Sequence, residues 1–143
     1  MKKSDLASRK IVLDLTPVTS GKNVLERKQK LRDAIKDNLG ERRLNRARKQ
    51  CRDHYLFLNV KYHLLKTTTS GTSQKDLDNL IKILFDVIPD YISQHSKAEE
   101  FKGLGLIKDD KDIFGVCCEK EIVEPPRKEG LELEISVIRD LKN

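Results

Sequence analysis

A short stretch of the sequence, from Lys75 to Ile88, carries the residues best suited to chemistry. Two aspartates, Asp76 and Asp78, stand two positions apart, and Lys82 follows Asp78 by four. Neighbouring carboxylates repel one another, so one of them gains a proton or the group binds a cation. Mg²⁺ binds through a few carboxylates and keeps several water ligands. With a lysine one helical turn away to hold a phosphate, such a site would suit hydrolysis of a phosphodiester.

The same residues also have common structural uses. Asp76 could cap a helix, which is worth ~1 kcal/mol, and Asp78 could pair with Lys82 for ~0.3 kcal/mol. Aspartates at i and i+2 lie about 200° apart on a helix. Their carboxylates therefore converge only if Asp76 is extended at the cap and Asp78 lies in the first turn. A second acidic pair, Asp109 and Asp110, could equally serve a turn. Spacing alone leaves both the metal site and the capped helix open.

The apolar residues of the same stretch predict the helix that must position these acids. They recur at intervals of three and four and would form one buried face. Pro89 predicts where the helix ends. The residues of this apolar face are Leu77, Leu80, Ile81, Leu84, Val87 and Ile88.

The rest of the chain predicts an α+β fold. Alternating apolar residues indicate strands over residues 9–16, 54–65, 114–123 and 131–139, and residues 125–130 are interpreted as a hairpin loop. A first helix begins near Asn23, a plausible N-cap, and ends or bends at Gly40. The order β-α-β-α-β-β predicts a single domain over residues 1–143, with a mixed sheet and helices packed on one face. Residues 90–103 are interpreted as an insertion.

Net charge is +6, and the positive excess lies in the first third of the chain. Residues 22–50 hold eleven Lys or Arg against four acids. This asymmetry suits a polyanionic partner, although a solvated helix face would explain it equally well. Residues 41–50 have little apolar content and are interpreted as a helix extension or loop that presents charge. Its cations, which could contact phosphates, are Arg42, Arg43, Arg46, Arg48 and Lys49.

Composition excludes several other classes. There is no tryptophan and no apolar run of the ~18 residues that span a bilayer. The basic N-terminus is not followed by an apolar segment, so no signal peptide and a cytoplasmic location are expected. The three cysteines form no CxxC pair and are expected to be buried free thiols. His54 and His63 have no orienting partner in the sequence and are expected to be structural or surface residues.

Two segments of the chain resemble a known family. Asp76-Leu77-Asp78-Asn79-Leu80-Ile81-Lys82, followed by Phe85-Asp86, resembles the DLDNLxK…FD signature of the RusA-like Holliday junction resolvases. Leu106-Ile107-Lys108-Asp109-Asp110 resembles that family's hydrophobic segment, which ends in a double aspartate before a strand. The order of the predicted strands and helices also follows that of the family.

The resemblance implies a homodimeric, Mg²⁺-dependent endonuclease that resolves four-way DNA junctions in recombination and repair by symmetrical cleavage, with Mn²⁺ as an alternative ion. It implies Asp76, Asp78 and Asp110 as metal ligands and Lys82 as the catalytic lysine at the phosphate. Asp109 and Asp86 match family positions and are given supporting roles. Neither a membrane nor a small-molecule cofactor is expected.

The chain differs from the family pattern in two places. A basic run often precedes the first aspartate of the family, whereas here only Lys75 does. DNA contacts could therefore have moved to the cluster from Arg42 to Lys49, with Lys75 added. The segment before Asp109 is also longer, because of the 90–103 insertion. Two alternatives to a junction resolvase stay open: a DNA-binding protein of the same fold that does not cut, and a nuclease for other branched DNA.

Overall fold

A computed structural model describes residues 3–5, 11–13, 17, 23–66, 76–92 and 98–138. Five strands and two helices follow one another in the order β-β-α-β-α-β-β. They are β1 (Lys3–Asp5), β2 (Ile11–Leu13), α1 (Val24–Cys51), β3 (Tyr55–Leu65), α2 (Leu77–Val87), β4 (Ile113–Val123) and β5 (Gly130–Ile138). Short 3₁₀ turns occupy Glu99–Phe101 and Asp110–Asp112.

The strands form one mixed sheet, and the predicted α+β class is confirmed. Strand β3 pairs in parallel with β4 on one side and antiparallel with β5 on the other. Both β1 and β2 pair antiparallel with β5 along its far side. Strand β2 lies within the strand predicted at residues 9–16, whose other residues lie outside the described ranges, and β1 was not predicted. Helix α2 makes the connection between the parallel strands β3 and β4, as such a crossover requires.

The hairpin predicted at residues 125–130 is wrong. Strands β4 and β5 lie on opposite sides of β3, so the segment between them passes the end of that strand. It spans two strand spacings, about 10 Å. Within this connection the Glu129 carboxylate accepts a hydrogen bond from the Leu65 amide at 3.0 Å. Turn residues between two predicted strands fit both a hairpin loop and a longer crossing over a third strand, because the local sequence does not determine which strands pair.

One face of the sheet and both helices build the core. Strand β3 buries alternate side chains from Leu56 to Leu64, as the period of two predicts. Helix α2 buries Leu80, Ile83, Leu84 and Val87, which is the spacing i, i+3, i+4, i+7 of one helix face. The buried face of α2 is therefore rotated slightly from the predicted one, since Leu77 and Ile81 are only partly buried against this core.

Helix α1 is bent at Gly40, which has φ 77° and ψ 161°. The bend is stabilised by Arg43, whose guanidinium donates to the carbonyl oxygens of Leu39 at 2.7 Å and Asn38 at 2.5 Å. The segment after the bend is a helix extension that also buries Leu44, along with Ala47 and Cys51, so it holds more apolar contact than expected. Asn23 is at the N-cap position, but its side chain makes no cap hydrogen bond within the described ranges. Neither helix in those ranges has the length and apolar character to cross a bilayer.

The three cysteines are free, but only Cys51 is fully buried. Cys117 is exposed and Cys118 is half-buried, so the expectation of three buried thiols is wrong for β4. Burial raises the pKa of the Cys51 thiol to about 12 and that of Cys118 to about 11.

The cysteines should therefore react with iodoacetamide at different rates. The thiolate is the nucleophile, and a raised pKa lowers its fraction at a given pH. At pH 8 we expect Cys117 to be alkylated first, Cys118 more slowly and Cys51 only after unfolding. Below about pH 11, each increase of one pH unit should raise the labelling rate of Cys118 about tenfold. Tandem mass spectrometry of the labelled peptides measures these rates, and equal labelling of Cys117 and Cys118 at pH 8 would contradict the expectation.

Candidate functional site

The entrance of helix α2 has the backbone geometry that would let its two acids converge. Asp76 is the N-cap and is extended, with φ −76° and ψ 140°, while Asp78 lies in the first helical turn. The Asp76 carbonyl accepts the helical hydrogen bond from the Leu80 amide at 3.1 Å. Its carboxylate, however, makes no capping hydrogen bond in the described part of the chain. In the described part of the chain, the Asp76 carboxylate therefore does not cap the helix.

Polar residues form a stripe along the outer side of α2. Asp78, Lys82 and Asp86 are spaced by four residues and so lie only about 40° apart from one to the next. Asp78 and Lys82 are exposed. Among the described residues, the salt bridges do not include one between Asp78 and Lys82. The i,i+4 ion pair considered from spacing is thus not formed.

Within the described residues, Asp86 alone of this stripe forms an ion pair. Its carboxylate lies 2.9 Å from the ammonium of Lys28, which projects from the first half of α1. The Lys28 side chain is 17% exposed, so this pair is shielded from solvent more than most surface pairs. The contact joins the two helices beside the proposed site. The resemblance indicated Asp86 through the Phe85-Asp86 pair of the quoted segment, but the sequence carried no signal for Lys28.

The second acidic pair lies at the start of strand β4. Asp109 accepts a hydrogen bond from the Lys111 amide at 3.1 Å and caps the short 3₁₀ turn that follows. This bond, with that to Asp110, lowers the pKa of Asp109. The pKa of Asp110 is raised, first by its side-chain hydrogen bond with Asp109, then by burial and by the charges of Asp109 and Asp86. Asp109 therefore has a turn-holding role, and Asp110 is the acid that faces helix α2.

Asp110 lies near enough to Asp86 for the charge of Asp86 to contribute to its raised pKa. Asp78 and Asp86 are eight residues apart, about 12 Å along the helix axis. Within the described ranges, no group of three or more His, Cys, Asp or Glu residues is placed to hold a metal ion. The predicted ligands Asp76, Asp78 and Asp110 thus do not form such a group. In chemical type the donors fit Mg²⁺, since all three are carboxylates and Asp76 and Asp78 are exposed.

The predicted cationic cluster divides into two kinds of residue. Arg43 holds the bend of α1, and Arg48 donates to the Leu104 carbonyl at 2.8 Å and to the Asn45 side chain at 3.1 Å. Arg42, Arg46 and Lys49 are exposed. Lys75 lies outside the described residues.

The three exposed cations share one face of α1. Their spacing of four and then three residues places them within about 60° of one another around the helix. The buried residues Leu44 and Ala47 lie on the opposite side. We call Arg42, Arg46 and Lys49 the basic stripe. It faces solvent on the outer side of the helix layer, the same layer of the fold to which α2 belongs.

The predicted insertion is bound by arginines of α1 and by Arg52, the residue that follows this helix. Arg52 binds the Asp90 carboxylate with two hydrogen bonds, at 2.7 and 3.1 Å. Arg32 donates to the carbonyls of Glu100 and Lys102, at 3.3 and 2.8 Å. Both halves of the bent helix thus hold the segment between α2 and β4, and arginines do most of this work.

The sheet face away from the helices is rich in carboxylates. The ring of His63 lies between Glu121 and Glu132, at 3.6 and 3.7 Å, and Lys61 lies 3.4 Å from Glu119. The two carboxylates are on opposite sides of the imidazole, so the three groups do not converge on one ion. His63 is therefore part of an ionic surface, in line with the structural role expected for it. An acidic face of this kind repels a polyanion.

Comparison of the chain with models of known protein families, with curated proteins and with solved structures found no match. The resemblance to RusA-like resolvases rests therefore on the two quoted segments, residues 76–86 and 106–110.

Proposed function

We propose that this protein is a Mg²⁺-dependent endonuclease that cuts branched DNA, with four-way junctions as its substrate, in recombination and repair. The observation that carries the proposal is that the polar side chains at the entrance of α2 are left without a structural role among the described residues. Asp76 is extended at the cap without capping, and Asp78 and Lys82 are exposed without pairing to each other. In the described part of the chain, these side chains thus form neither the helix cap nor the i,i+4 ion pair that would give them a structural role. Such a DNA-processing role would be cytoplasmic.

Asp76 and Asp78 would hold the ion, with Mn²⁺ able to replace Mg²⁺. Asp110 would complete the ligand set only in an arrangement that brings it to the helix entrance, since the three acids form no metal-binding group in the described ranges. When bound, such an ion activates a water molecule and stabilises the leaving oxygen. With Asp76 extended at the cap and Asp78 in the first turn, both carboxylates would lie at the N-terminal end of α2, where the positive end of the helix dipole also favours anions. The pKa of Asp110 is raised by its side-chain hydrogen bond with Asp109, then by burial and by the charges of Asp109 and Asp86, and a cation near it would favour its charged form.

Lys82 would bind the scissile phosphate. It follows Asp78 by one helical turn on the same side of α2, so its ammonium can reach a group held at the helix entrance. Its exposure leaves it accessible to the DNA backbone. Asp86 cannot neutralise it fully, because Asp86 is paired with Lys28 at 2.9 Å. Asp109 would keep the turn that positions Asp110 through its bond to the Lys111 amide.

The basic stripe would bind the phosphates of a DNA arm. Each phosphate contact releases counterions, so the logarithm of the binding constant falls with log salt at about 0.9 per contact. Changing Arg42, Arg46 and Lys49 together to Ala should therefore weaken binding and reduce that slope by about 2.7. Fluorescence anisotropy of a labelled junction over a range of salt concentrations measures both.

A matched control removes the same charge elsewhere. The triple change of Lys102, Arg127 and Lys128 to Ala also removes three exposed cations, and it should leave the slope close to that of the wild type. Equal slopes in the stripe variant and the wild type would show that α1 is not the DNA-binding face.

A DNA-binding protein that does not cut is the second candidate. It is favoured by the absence, in the described ranges, of any group of three residues that could hold a metal ion. Purified protein incubated with a four-way junction, a flap and a linear duplex separates the candidates. Paired nicks in the junction alone support a resolvase, cleavage of the flap supports a nuclease for other branched DNA, and tight binding without products supports the second candidate.

A further inference from the structure

A cavity of about 800 Å³ opens between helix α1 and the segment that follows α2. Both halves of the bent helix line it, because Arg32 and Lys36 precede the bend at Gly40 and Arg48 follows it. Cavities that bind small molecules usually measure about 300–1,000 Å³. The charged residues that line this one are Arg32, Lys36, Arg48, Glu99, Glu100 and Lys102.

The cavity lies away from the candidate cutting site. Gly103 lines it, and the next residue, Leu104, donates its amide to the Val87 carbonyl at 2.7 Å, at the C-terminal end of α2. Asp76 is at the other end of this eleven-residue helix, about 16 Å away along its axis. A ligand in the cavity would therefore not be part of the site at the α2 entrance.

Arg48 is a fixed donor at the wall of the cavity. Its Nε donates to the Leu104 carbonyl at 2.8 Å and its Nη1 to the Asn45 side-chain oxygen at 3.1 Å. Both acceptors are neutral, so they hold the guanidinium in place without neutralising its charge. The Asp90 carboxylate, on the same segment as Leu104, accepts two hydrogen bonds from Arg52 instead. The Nη2 group of Arg48 makes no hydrogen bond within the described ranges, so it can donate to a ligand.

Lys36 and Arg48 leave two positive charges of the cavity without a carboxylate partner. Lys36 is exposed, and neither side chain forms a salt bridge with any described residue. A cleft lined by charges of one sign raises the local concentration of ions of the other sign, so this cavity favours an anion. Its other two cations have acidic partners: Arg32 lies 2.9 Å from Asp33, and Lys102 lies 3.0 Å from Glu99.

We propose that this cavity binds a small phosphorylated ligand of the nucleotide class. A phosphate group accepts charge-assisted hydrogen bonds from Arg48 and Lys36, and a guanidinium matches its geometry. The exposed carboxylates Glu99 and Glu100 need hydrogen-bond donors opposite them, which the hydroxyls of a sugar and the amino group of a base supply. A nucleotide carries the phosphate and these donors in one molecule. The inference stands apart from the proposed function, because the cavity lies at the opposite end of α2.

The test is isothermal titration calorimetry of the full-length chain in EDTA, with ADP, adenosine and pyrophosphate as three separate probes. ADP is expected to bind, pyrophosphate to bind more weakly, and adenosine to give no heat, because it lacks the phosphate. Absence of ADP binding at millimolar concentrations would overturn the proposal. Pyrophosphate that binds as tightly as ADP would overturn the assignment to nucleotides, since the carboxylates would then contribute nothing.

Lys36→Ala tests whether ADP binds in this cavity. We expect its dissociation constant for ADP to rise about tenfold, since one charge-assisted hydrogen bond is lost. Lys30→Ala is the control, because Lys30 is exposed on the same half of α1 but does not line the cavity. Arg48→Lys keeps the charge and loses the fixed planar donor, so it should also weaken ADP binding, with circular dichroism to show that the fold is kept. If ADP binds equally to Lys36→Ala and Lys30→Ala, the cavity is not its site.

A DNA backbone is the other source of phosphate for this cavity, and a labelled four-way junction tests it. If DNA were the ligand, ADP would not bind, and Lys36→Ala would weaken junction binding while Lys30→Ala would not. That result would overturn the proposal and add the cavity to the DNA-binding surface. Binding of ADP together with unchanged junction binding in Lys36→Ala is the result that we expect.

Discussion

Replacing Asp78 by Asn is expected to reduce cleavage of a four-way junction more than about a hundredfold while junction binding is kept. The amide has the shape of the carboxylate but lacks its charge, and loss of even an outer contact to a metal ligand costs 10–100-fold. Asp78 is exposed and lies in the first turn of α2, so the exchange should not disturb the core. Removing a negative charge near DNA should, if anything, strengthen binding. Product formation on denaturing gels and a mobility-shift assay measure the two effects.

The matched control is Asp37→Asn, the same chemical change at an exposed position of α1. It should cut at the wild-type rate. If Asp78→Asn cuts as fast as this control, the entrance of α2 is not the catalytic site. If it loses binding as well as cleavage, the residue contributes to DNA recognition rather than to chemistry.

Replacing Gly103 by Ala is expected to destabilise the fold by about 3 kcal/mol, the cost of forced overpacking. A Cβ atom there would collide with the carbonyl oxygen of Pro89 and lie 2.7 Å from that of Val87. These are backbone atoms and cannot move aside as a flexible side chain would. The Gly103 amide also donates to the Asp90 carbonyl at 2.8 Å, which fixes how closely the two segments approach. The melting temperature should fall by about 10 °C.

Lys102→Ala is the control for this change. Lys102 is the preceding residue and is exposed, and in the described part of the chain its side chain makes only a surface pair with Glu99 at 3.0 Å. Its loss should therefore change stability by no more than about 0.5 kcal/mol. Thermal unfolding followed by circular dichroism compares the two. If Gly103→Ala melts at the same temperature as the control, Gly103 does not approach the backbone of Val87 and Pro89 as closely as the structure shows.

The helices and strands were largely predictable because burial follows their periods. Alternation along Tyr55–Leu65 and the three-and-four spacing in α2 each report one buried face directly. The side of β3 on which β5 lies was not predictable. Nothing in residues 124–129 states that the chain must cross the end of β3, since pairing between distant strands is decided by the whole sheet.

The candidate site was predictable in part for the same reason. The extended conformation of Asp76 and the position of Asp78 follow from a local pattern at a helix start. Contacts between distant segments left no local signal, as the pair of Lys28 with Asp86 shows. The role of Arg43 was also hidden. Its charge predicted a DNA contact, whereas the bend at Gly40 exposes carbonyls that its guanidinium satisfies.

The central claim is that the acids at the α2 entrance, together with Asp110, support metal-dependent cutting. It is tested most directly by incubating the wild-type protein with a labelled four-way junction in Mg²⁺ and, in parallel, in EDTA. Two symmetrically placed nicks in Mg²⁺ and intact strands in EDTA are the expected result. Cleavage that continues in EDTA, or a junction that stays intact in both Mg²⁺ and Mn²⁺, would contradict the claim.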